Sequence, residues 1–358
     1  MDKPYNKIQV NNKTISWRNK MPKKILILAG GGGHTGYAYA LAQVLSEKGV
    51  SLFFFVPEGD ILSAKRLRKF GKVDFLVKPR EPKTPTLEFA QRLIKSFVNS
   101  IMKISGDSDV VISTGSSFCI PPALIARIRG VPLISIENEV RFTKASLTAR
   151  LLHPFSSINA LQWEEQKRLL KGVVVGPMLP RPETKPWNGG YILVTGGTYG
   201  HKLLFDALAE SNLQNVILQI GGIDPKPYIE KHPEWKVISY TEKFHELIAG
   251  AEVVVTHFGF TMLETLAYGK PTVAVVNPLW TRTVGFEDAK YLAKKTNAVL
   301  ISKTTTEVLL DAIKKARNRK IPTLQSGAER LSDIILKMPA HGKHPICESF
   351  SKSYKHFA

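Results

Sequence analysis

Cysteine is almost missing from this 358-residue chain. Cys119 and Cys347 are its two representatives, too few for a disulfide framework and without the paired spacing of a zinc site. Stability therefore has to come from packed cores, as suits a reducing compartment. Long apolar runs are absent too, since no stretch reaches the roughly 18 uncharged apolar residues of a membrane-spanning helix. The first twenty residues lack the apolar centre of a secretion signal, and residues 1–22 read as a loose polar tail. Acidic residues are scarce: 30 Asp and Glu stand against 50 Lys and Arg, a formal net charge of +20. Such a field draws nucleic acid, anionic lipid headgroups or phosphorylated substrates.

Much of the basic excess gathers between residues 60 and 83, at Lys65, Arg66, Arg68, Lys69, Lys72, Lys78, Arg80 and Lys83. Directly after it, Leu87, Ala90, Leu93, Ile94, Phe97, Val98 and Ile101 keep helical spacing. A basic patch beside an amphipathic helix fits docking onto an anionic membrane surface. It also fits a helix that covers a sheet and turns a basic face to water. No aromatics interleave with these cations in the manner of a base-stacking platform, so nucleic acid is not expected as a partner.

Short apolar, β-branched runs alternate with helical stretches along the chain. In the first half they are 25–29, 51–56, 73–77, 109–113, 132–136 and 160–162; in the second, 191–195, 216–220, 236–239, 252–256, 272–276 and 298–301. That alternation predicts an α/β chain with two doubly wound parallel sheets. Residues 176–190 hold four prolines and three glycines, the composition of a stiff linker. The expected units are residues 23–178, a linker at 179–190, residues 191–323, and a C-terminal helix with a basic tail over 324–358.

Each half opens with a strand that runs into glycines and a histidine: Gly30–Gly33 then His34, and Gly196, Gly197, Thr198, Gly200 then His201. Glycines after a strand leave backbone N–H groups uncovered at the start of the next helix, where phosphate or another anion fits. His34 beside such a loop is suited to act as a general base or an anion partner, or is simply a polar residue near a helix end. The second half carries a sharper pattern, His257-Phe-Gly259-Phe-Thr261-Met-Leu-Glu264 and then Ala267-Tyr-Gly269-Lys-Pro271. A glycine turn opening a helix can hold a diphosphate, and a carboxylate on the first turns can accept both hydroxyls of a ribose. The alternative for Glu264 is a carboxylate that merely satisfies its own helix end.

His-x-Gly-x-Thr-x-x-Glu followed by Ala-x-Gly-Lys-Pro resembles the nucleotide-sugar motif of GT-B glycosyltransferases. More narrowly, the second half is similar to the catalytic subunit of the eukaryotic two-subunit transferase that adds the second GlcNAc to dolichyl-diphosphate-GlcNAc. The shared features are Thr195-Gly-Gly-Thr198, Phe205-Asp206, and Tyr240 before Phe244. The first half resembles that enzyme's membrane-anchoring subunit, through Gly32-Gly33-His34-Thr35, Pro79-Arg80, Gly115 to Pro121, Glu137-Asn138 with Arg141, and Gln162-Trp163. The MurG family of bacterial lipid-intermediate enzymes shares the domain order and the Gly-Gly-His loop.

The resemblance implies a GT-B fold, with two Rossmann-like domains facing a cleft and both subunits fused in one chain. It implies an inverting transferase that moves GlcNAc from UDP-GlcNAc to a polyprenyl diphosphate sugar, in peripheral attachment to the cytoplasmic face of the cell membrane. His34 is the implied base, with Glu137 as a second base or as its orienting partner. Donor contacts fall on Gly196, Gly197, Thr198, Tyr240, Phe244, His257, Gly259, Thr261, Glu264 and Asp288. Acceptor contacts fall on Gly31, Gly32, Gly33, Thr35, Arg80, Gly115, Asn138 and Arg141. No cofactor is expected, because the UDP-sugar is a substrate. No metal is expected either, since helix N-termini after Gly197 and His257 suit the leaving diphosphate. A capsule or cell-wall enzyme of the same architecture is the alternative reading.

Overall fold

The computed structural model describes residues 7–10, 13–16, 24–81, 84–278 and 285–340. Where the sequence reading expected only a loose tail, β1 (Lys7–Val10) pairs antiparallel with β2 (Lys13–Ser16). The basic stretch after residue 340 lies outside the described residues.

The first half alternates strand and helix as its hydrophobic pattern demands. Its elements are β3 (Lys24–Leu28), α1 (Gly33–Ser46), β4 (Ser51–Pro57), α2 (Ile61–Arg68), β5 (Gly71–Leu76) and α3 (Thr86–Lys103). They continue with β6 (Val110–Ser113), α4 (Ile120–Ile128), β7 (Leu133–Ile136), α5 (Leu147–Leu152), β8 (Ile158–Leu161) and a short β9 (Val173–Val174) that periodicity did not reveal. The strands form one parallel sheet in the order β5-β4-β3-β6-β7-β8-β9. The second half comprises β10 (Tyr191–Thr195), α6 (Lys202–Ala209), β11 (Val216–Gln219), α7 (Lys226–Lys231), β12 (Lys236–Ile238) and α8 (Phe244–Gly250). After these come β13 (Ala251–His257), α9 (Phe260–Ala267), β14 (Thr272–Val275), α10 (Phe286–Thr296), β15 (Val299–Ile301), α11 (Thr306–Arg317) and α12 (Gly327–Lys337). Its sheet is also parallel, in the order β12-β11-β10-β13-β14-β15. Strand direction of travel reverses between β3 and β6 and between β10 and β13, and in open α/β sheets ligands collect at the carboxyl ends of such switch points.

Side-chain alternation assigns each helix to a face. Ile25 and Ile27 look toward α1, α2 and the returning α12, with Leu41, Leu45, Leu67, Leu331 and Ile335 in one core. Leu26 and Leu28 look the other way, into a core shared with Phe97 and Ala123 of α3 and α4. This separates two features that stand side by side in sequence. The basic turn of α2 lies on the opposite face of the sheet from the amphipathic α3, so they do not form one membrane patch. Lys65 instead pairs with Glu242 at 3.0 Å and Arg66 with Glu264 at 2.8 Å, both in the second half.

α3 itself is turned inside out. Its small polar residues face the sheet, with Ser96 Oγ donating to the Val77 carbonyl at 2.8 Å and Ser100 Oγ to the Ser96 carbonyl at 2.7 Å. Apart from Phe97 and the half-buried Leu93, most of its large apolar residues face outward: Leu87 is 74% exposed, Ile94 67% and Met102 80%. Ile128 on α4 and Leu147 and Leu151 on α5 are exposed as well. Arg129 Nη2 donates to the Ile101 carbonyl at 2.6 Å and brings the end of α4 against α3. Among the described residues no helix is long and apolar enough to cross a membrane.

The proline-rich connection is fastened at both ends. Met178 N donates to Gln162 Oε1 at 2.9 Å, and Gly189 N donates to the Gly250 carbonyl at 2.7 Å. Between them Glu183 takes hydrogen bonds from Tyr39 Oη and from Lys69 Nζ.

Candidate active site

The carboxyl end of β3 turns at Gly31 and Gly32 into α1, and His34 sits on that helix's first turn. Next to it, β6 ends at Thr114 and Gly115. The Thr114 hydroxyl accepts from Gly30 N at 3.1 Å and donates to the Leu28 carbonyl at 2.8 Å, tying the two strand ends together. His34 Nδ1 lies 2.7 Å from the Thr114 carbonyl oxygen. A carbonyl can only accept, so Nδ1 carries the proton and Nε2 carries the lone pair. Burial pushes the imidazole pKa down to about 4, opposed by the Thr114 hydrogen bond and assisted by the charges of Arg141 and Lys78. At neutral pH His34 is therefore uncharged with a basic nitrogen exposed to attack a proton. Gly115 has φ +99°, and a Cβ there would stand 2.9 Å from two atoms of the imidazole ring. The glycine makes room for the histidine.

The second half repeats the device. Gly197 has φ +68°, and its Cβ would meet His257 Cε1 at 2.8 Å. Burial, with the charge of His201, pushes the His257 pKa down to about 4. Gly196 is buried, Gly197 half-buried and Thr198 exposed at the loop's rim. Gly259 precedes α9 at φ +149°, and Thr261 occupies the helix's first turn, half-buried.

The two loops face each other. Phe260, first residue of α9, packs edge-on against Tyr37 of α1 with ring centroids 5.5 Å apart, and Tyr37 in turn meets His34 at 5.8 Å. A Cβ on Gly36 would fall 2.2 Å from the Phe260 ring, so the helix N-termini approach as closely as they do because residue 36 is glycine. Glu264, one turn further along α9, is largely buried beside the proline-rich connection, near Tyr39, Pro180, Glu183 and Tyr268, and takes Arg66 Nη2 at 2.8 Å. The Arg66 guanidinium lies 4.3 Å from the centre of the Tyr39 ring.

Several expected contacts are otherwise engaged. Thr35 is buried and its hydroxyl shares a 2.7 Å hydrogen bond with Ser63 Oγ, which removes it from the acceptor surface. Glu137 is buried, with Oε1 accepting from Asn138 N at 2.7 Å and Oε2 from Ser146 N at 2.9 Å. Both oxygens shape the 137–146 loop, and neither meets His34. Burial raises the Glu137 pKa against those bonds. Asn138 Oδ1 accepts from Val140 N at 2.9 Å and also serves the loop. Asp288 is bonded to Phe142 and Thr143 of the first half rather than open to a donor. Phe244 packs with Tyr191 and Leu247 on the core under β10. Tyr240 is exposed at the cleft rim, near the charges of Arg66 and Lys65. Arg80 is exposed, 5.7 Å from the Phe89 ring centre and close to the apolar face of α3. Gly33 opens α1, where a Cβ would sit 3.2 Å from Phe260.

Sequence reasoning missed Glu139. It is 2% exposed, its Oε2 has no hydrogen-bond partner among the described residues, and burial pushes its pKa up to about 7. Its backbone N–H donates to Tyr37 Oη at 3.3 Å, beside the His34 turn. The signal was a second glutamate two residues after the first, masked by attention to Glu137.

Residues 191–335 match the glycosyltransferase family 28 C-terminal domain, and residues 25–176 match the Alg14-like oligosaccharide biosynthesis proteins. The chain is a glycosyltransferase of GT-B fold. A relative from Pseudomonas entomophila is 26% identical over 89% of this chain and 99% of its own length. It is a UDP-N-acetylglucosamine–N-acetylmuramyl-(pentapeptide) pyrophosphoryl-undecaprenol N-acetylglucosamine transferase, as is one from Trichodesmium erythraeum at 25% identity over 92% of this chain and 93% of that protein. The crystal structure of Acinetobacter baumannii MurG superposes with a TM-score of 0.60 at 20% identity, covering 88% of this chain and all of that one. In this glycosyltransferase the two matched segments meet the 176–190 connection on either side, and α12 crosses back to pack on α1.

Proposed function

We propose that this glycosyltransferase moves GlcNAc from UDP-GlcNAc onto a polyprenyl diphosphate sugar, with inversion at the anomeric carbon. The finer reading is that the acceptor is dolichyl-diphosphate-GlcNAc and the product the lipid-linked chitobiose core. The observation that carries it is His34, a neutral imidazole whose Nε2 lone pair is uncommitted among the described residues, on a glycine loop opposite the N-terminus of α9. The acceptor hydroxyl oxygen attacks the anomeric carbon while its proton passes to His34 Nε2. The bond from that carbon to the diphosphate oxygen breaks, and UDP leaves with the electron pair. Backbone N–H groups at the start of α9 suit that developing charge, whereas Gly197 N is held by Thr195 Oγ1 at 3.1 Å. Lys78 and Arg141 suit the acceptor diphosphate, which would raise the basicity of His34 as the acceptor binds.

The full-length relatives favour a second reading in which the acceptor sugar is N-acetylmuramyl-pentapeptide. The Alg14-like match over the acceptor half supports the first. Purified protein offered UDP-GlcNAc, UDP-glucose and UDP-galactose with each short-chain lipid acceptor, and products weighed by mass, decides. A product one N-acetylhexosamine heavier than lipid-diphosphate-GlcNAc is expected; transfer confined to the muramyl acceptor overturns the finer reading.

The reading also calls for a lipid surface, and the outward apolar face of α3, α4 and α5 supports one. Contiguous exposed apolar residues ringed by Arg92, Lys95, Arg127, Arg129 and Arg150 are costly in water and favourable at an anionic interface. Ile94→Glu with Met102→Glu is expected to lower binding to phosphatidylglycerol vesicles about tenfold or more, because each apolar side chain contributes about 1.5–3 kcal/mol when buried. Turnover of a short soluble acceptor should stay near wild type. Unchanged vesicle sedimentation in the double variant would remove this face from consideration.

A further inference from the structure

The carboxylate of Asp288 belongs by sequence to the donor half, yet its hydrogen bonds cross the cleft. It is 2% exposed on the first turn of α10. One oxygen accepts from Phe142 N at 2.8 Å and Thr143 N at 2.7 Å; the other accepts from Thr143 Oγ1 at 3.0 Å and Gly285 N at 3.3 Å. Four donors on two oxygens leave it nothing to offer a sugar. The Phe142 ring stacks on Tyr291, one turn further along α10, with centroids 5.2 Å apart.

We infer that Asp288 is a positioning residue for acceptor binding: from the donor domain it holds the backbone of the 137–146 loop in its working shape. The inference rests on the reading that the first half takes the lipid diphosphate. Within its own domain that loop is braced by Glu137 at its two ends, by Gln166, whose Nε2 donates to the Asn138 and Arg141 carbonyls at 2.8 and 2.9 Å, by Trp163 Nε1 on the Glu139 carbonyl at 2.8 Å, and by Arg168 Nη2 on the Phe142 carbonyl at 2.8 Å. None of these braces takes Phe142 N or Thr143 N. These two N–H groups are held from across the cleft, and Arg141 is the residue directly before them. The charge of Arg141 acts on His34, Glu137 and Glu139 alike. The acceptor half is thus incomplete without α10, and any shift of α10 on donor binding is delivered to the loop that carries Glu139 and Arg141.

The test is steady-state kinetics with UDP-GlcNAc and a short-chain lipid-diphosphate-GlcNAc, together with UDP calorimetry. Asp288→Ala is expected to raise the acceptor KM about tenfold to a hundredfold, the cost of a misplaced contact loop, while UDP affinity stays within about twofold of wild type. Asp288→Asn should restore most of it, since its amide oxygen still accepts both backbone N–H groups and its NH2 group can donate to Thr143 Oγ1, at the loss of the longer 3.3 Å bond from Gly285 N. Weakened UDP binding in Asp288→Ala with an unchanged acceptor KM would make Asp288 a donor ligand and overturn the inference. So would an Asn variant no better than Ala, or a lowered melting temperature with both KM values unchanged. A second readout does not depend on the acceptor's identity. Because the charge of Arg141 lowers the His34 pKa, its displacement in Asp288→Ala should let the imidazole titrate, by NMR, at higher pH than in the wild type; an unmoved titration counts against the inference even if the substrate reading also fails.

Discussion

Replacing His34 with alanine is expected to cut turnover by about 10²–10⁴-fold, the usual loss when a general base is removed. UDP affinity should stay near wild type, because the histidine stands on the acceptor side of the cleft. His34→Gln separates two roles. Glutamine can keep a hydrogen bond to an anion but cannot take a proton, so a partial rescue would make His34 a diphosphate ligand instead of a base. The pH profile carries a signed consequence. A base must be unprotonated to work, and the free-enzyme pKa of about 4 puts the acid limb of kcat/KM well below neutrality. Once the acceptor diphosphate is bound, its negative charge favours the imidazolium, so the acid limb of kcat should lie at higher pH than that of kcat/KM. An acid limb of kcat/KM near 7 would point to Glu139, whose carboxyl is held at about that value. In that case Glu139→Gln would abolish the limb and His34→Ala would retain more than about a tenth of the activity.

The sheets were legible because each core strand is a short apolar run closed by glycine or a polar turn. Periodicity located strands such as Tyr191–Thr195 and Ser51–Pro57 within a residue. β9 escaped because two residues make no pattern, and β1 with β2 because four-residue runs that mix Lys, Gln, Thr and Ser with three apolar positions make only a faint one. The glycine-loop histidines were legible for a local reason, since strand, glycine and helix start are contiguous in sequence. What a side chain does across the cleft was not. Asp288 and Glu137 look like site carboxylates by motif, yet Asp288 spends its oxygens largely on Phe142 and Thr143, remote in sequence, and Glu137 on Asn138 N and Ser146 N of its own loop. The direction of α3 was also hidden. Periodicity reports that one stripe is apolar, but not whether that stripe faces the sheet. Here Ser96 and Ser100 turn inward because their hydroxyls find carbonyl partners at Val77 and Ser96, which leaves the apolar stripe to the outside.

Arg66 changes what is expected of Glu264. Oε1 of the carboxylate takes the guanidinium at 2.8 Å, and Arg66 is itself held over the Tyr39 ring. A ribose diol that spans both carboxylate oxygens competes with Arg66 for Oε1, and the guanidinium, whose side chain is about a third exposed, can swing back toward water. Glu264→Ala removes the acceptor of the ribose hydroxyls; net of the freed Arg66, the loss is that of about one charge-assisted hydrogen bond, about 1.5–3 kcal/mol, so UDP affinity by calorimetry should fall roughly tenfold to a hundredfold. Arg66→Ala acts in the opposite sense. It clears the carboxylate of a partly exposed partner whose pairing is worth at most about 1 kcal/mol, so UDP should bind a few-fold more tightly. Opposite signs in the two variants are the signature of competition for one carboxylate. If Arg66→Ala weakens UDP binding, the guanidinium touches the nucleotide itself. If Glu264→Ala leaves UDP affinity unchanged, the carboxylate serves only to close the cleft on Arg66, and the ribose is held elsewhere on the donor half.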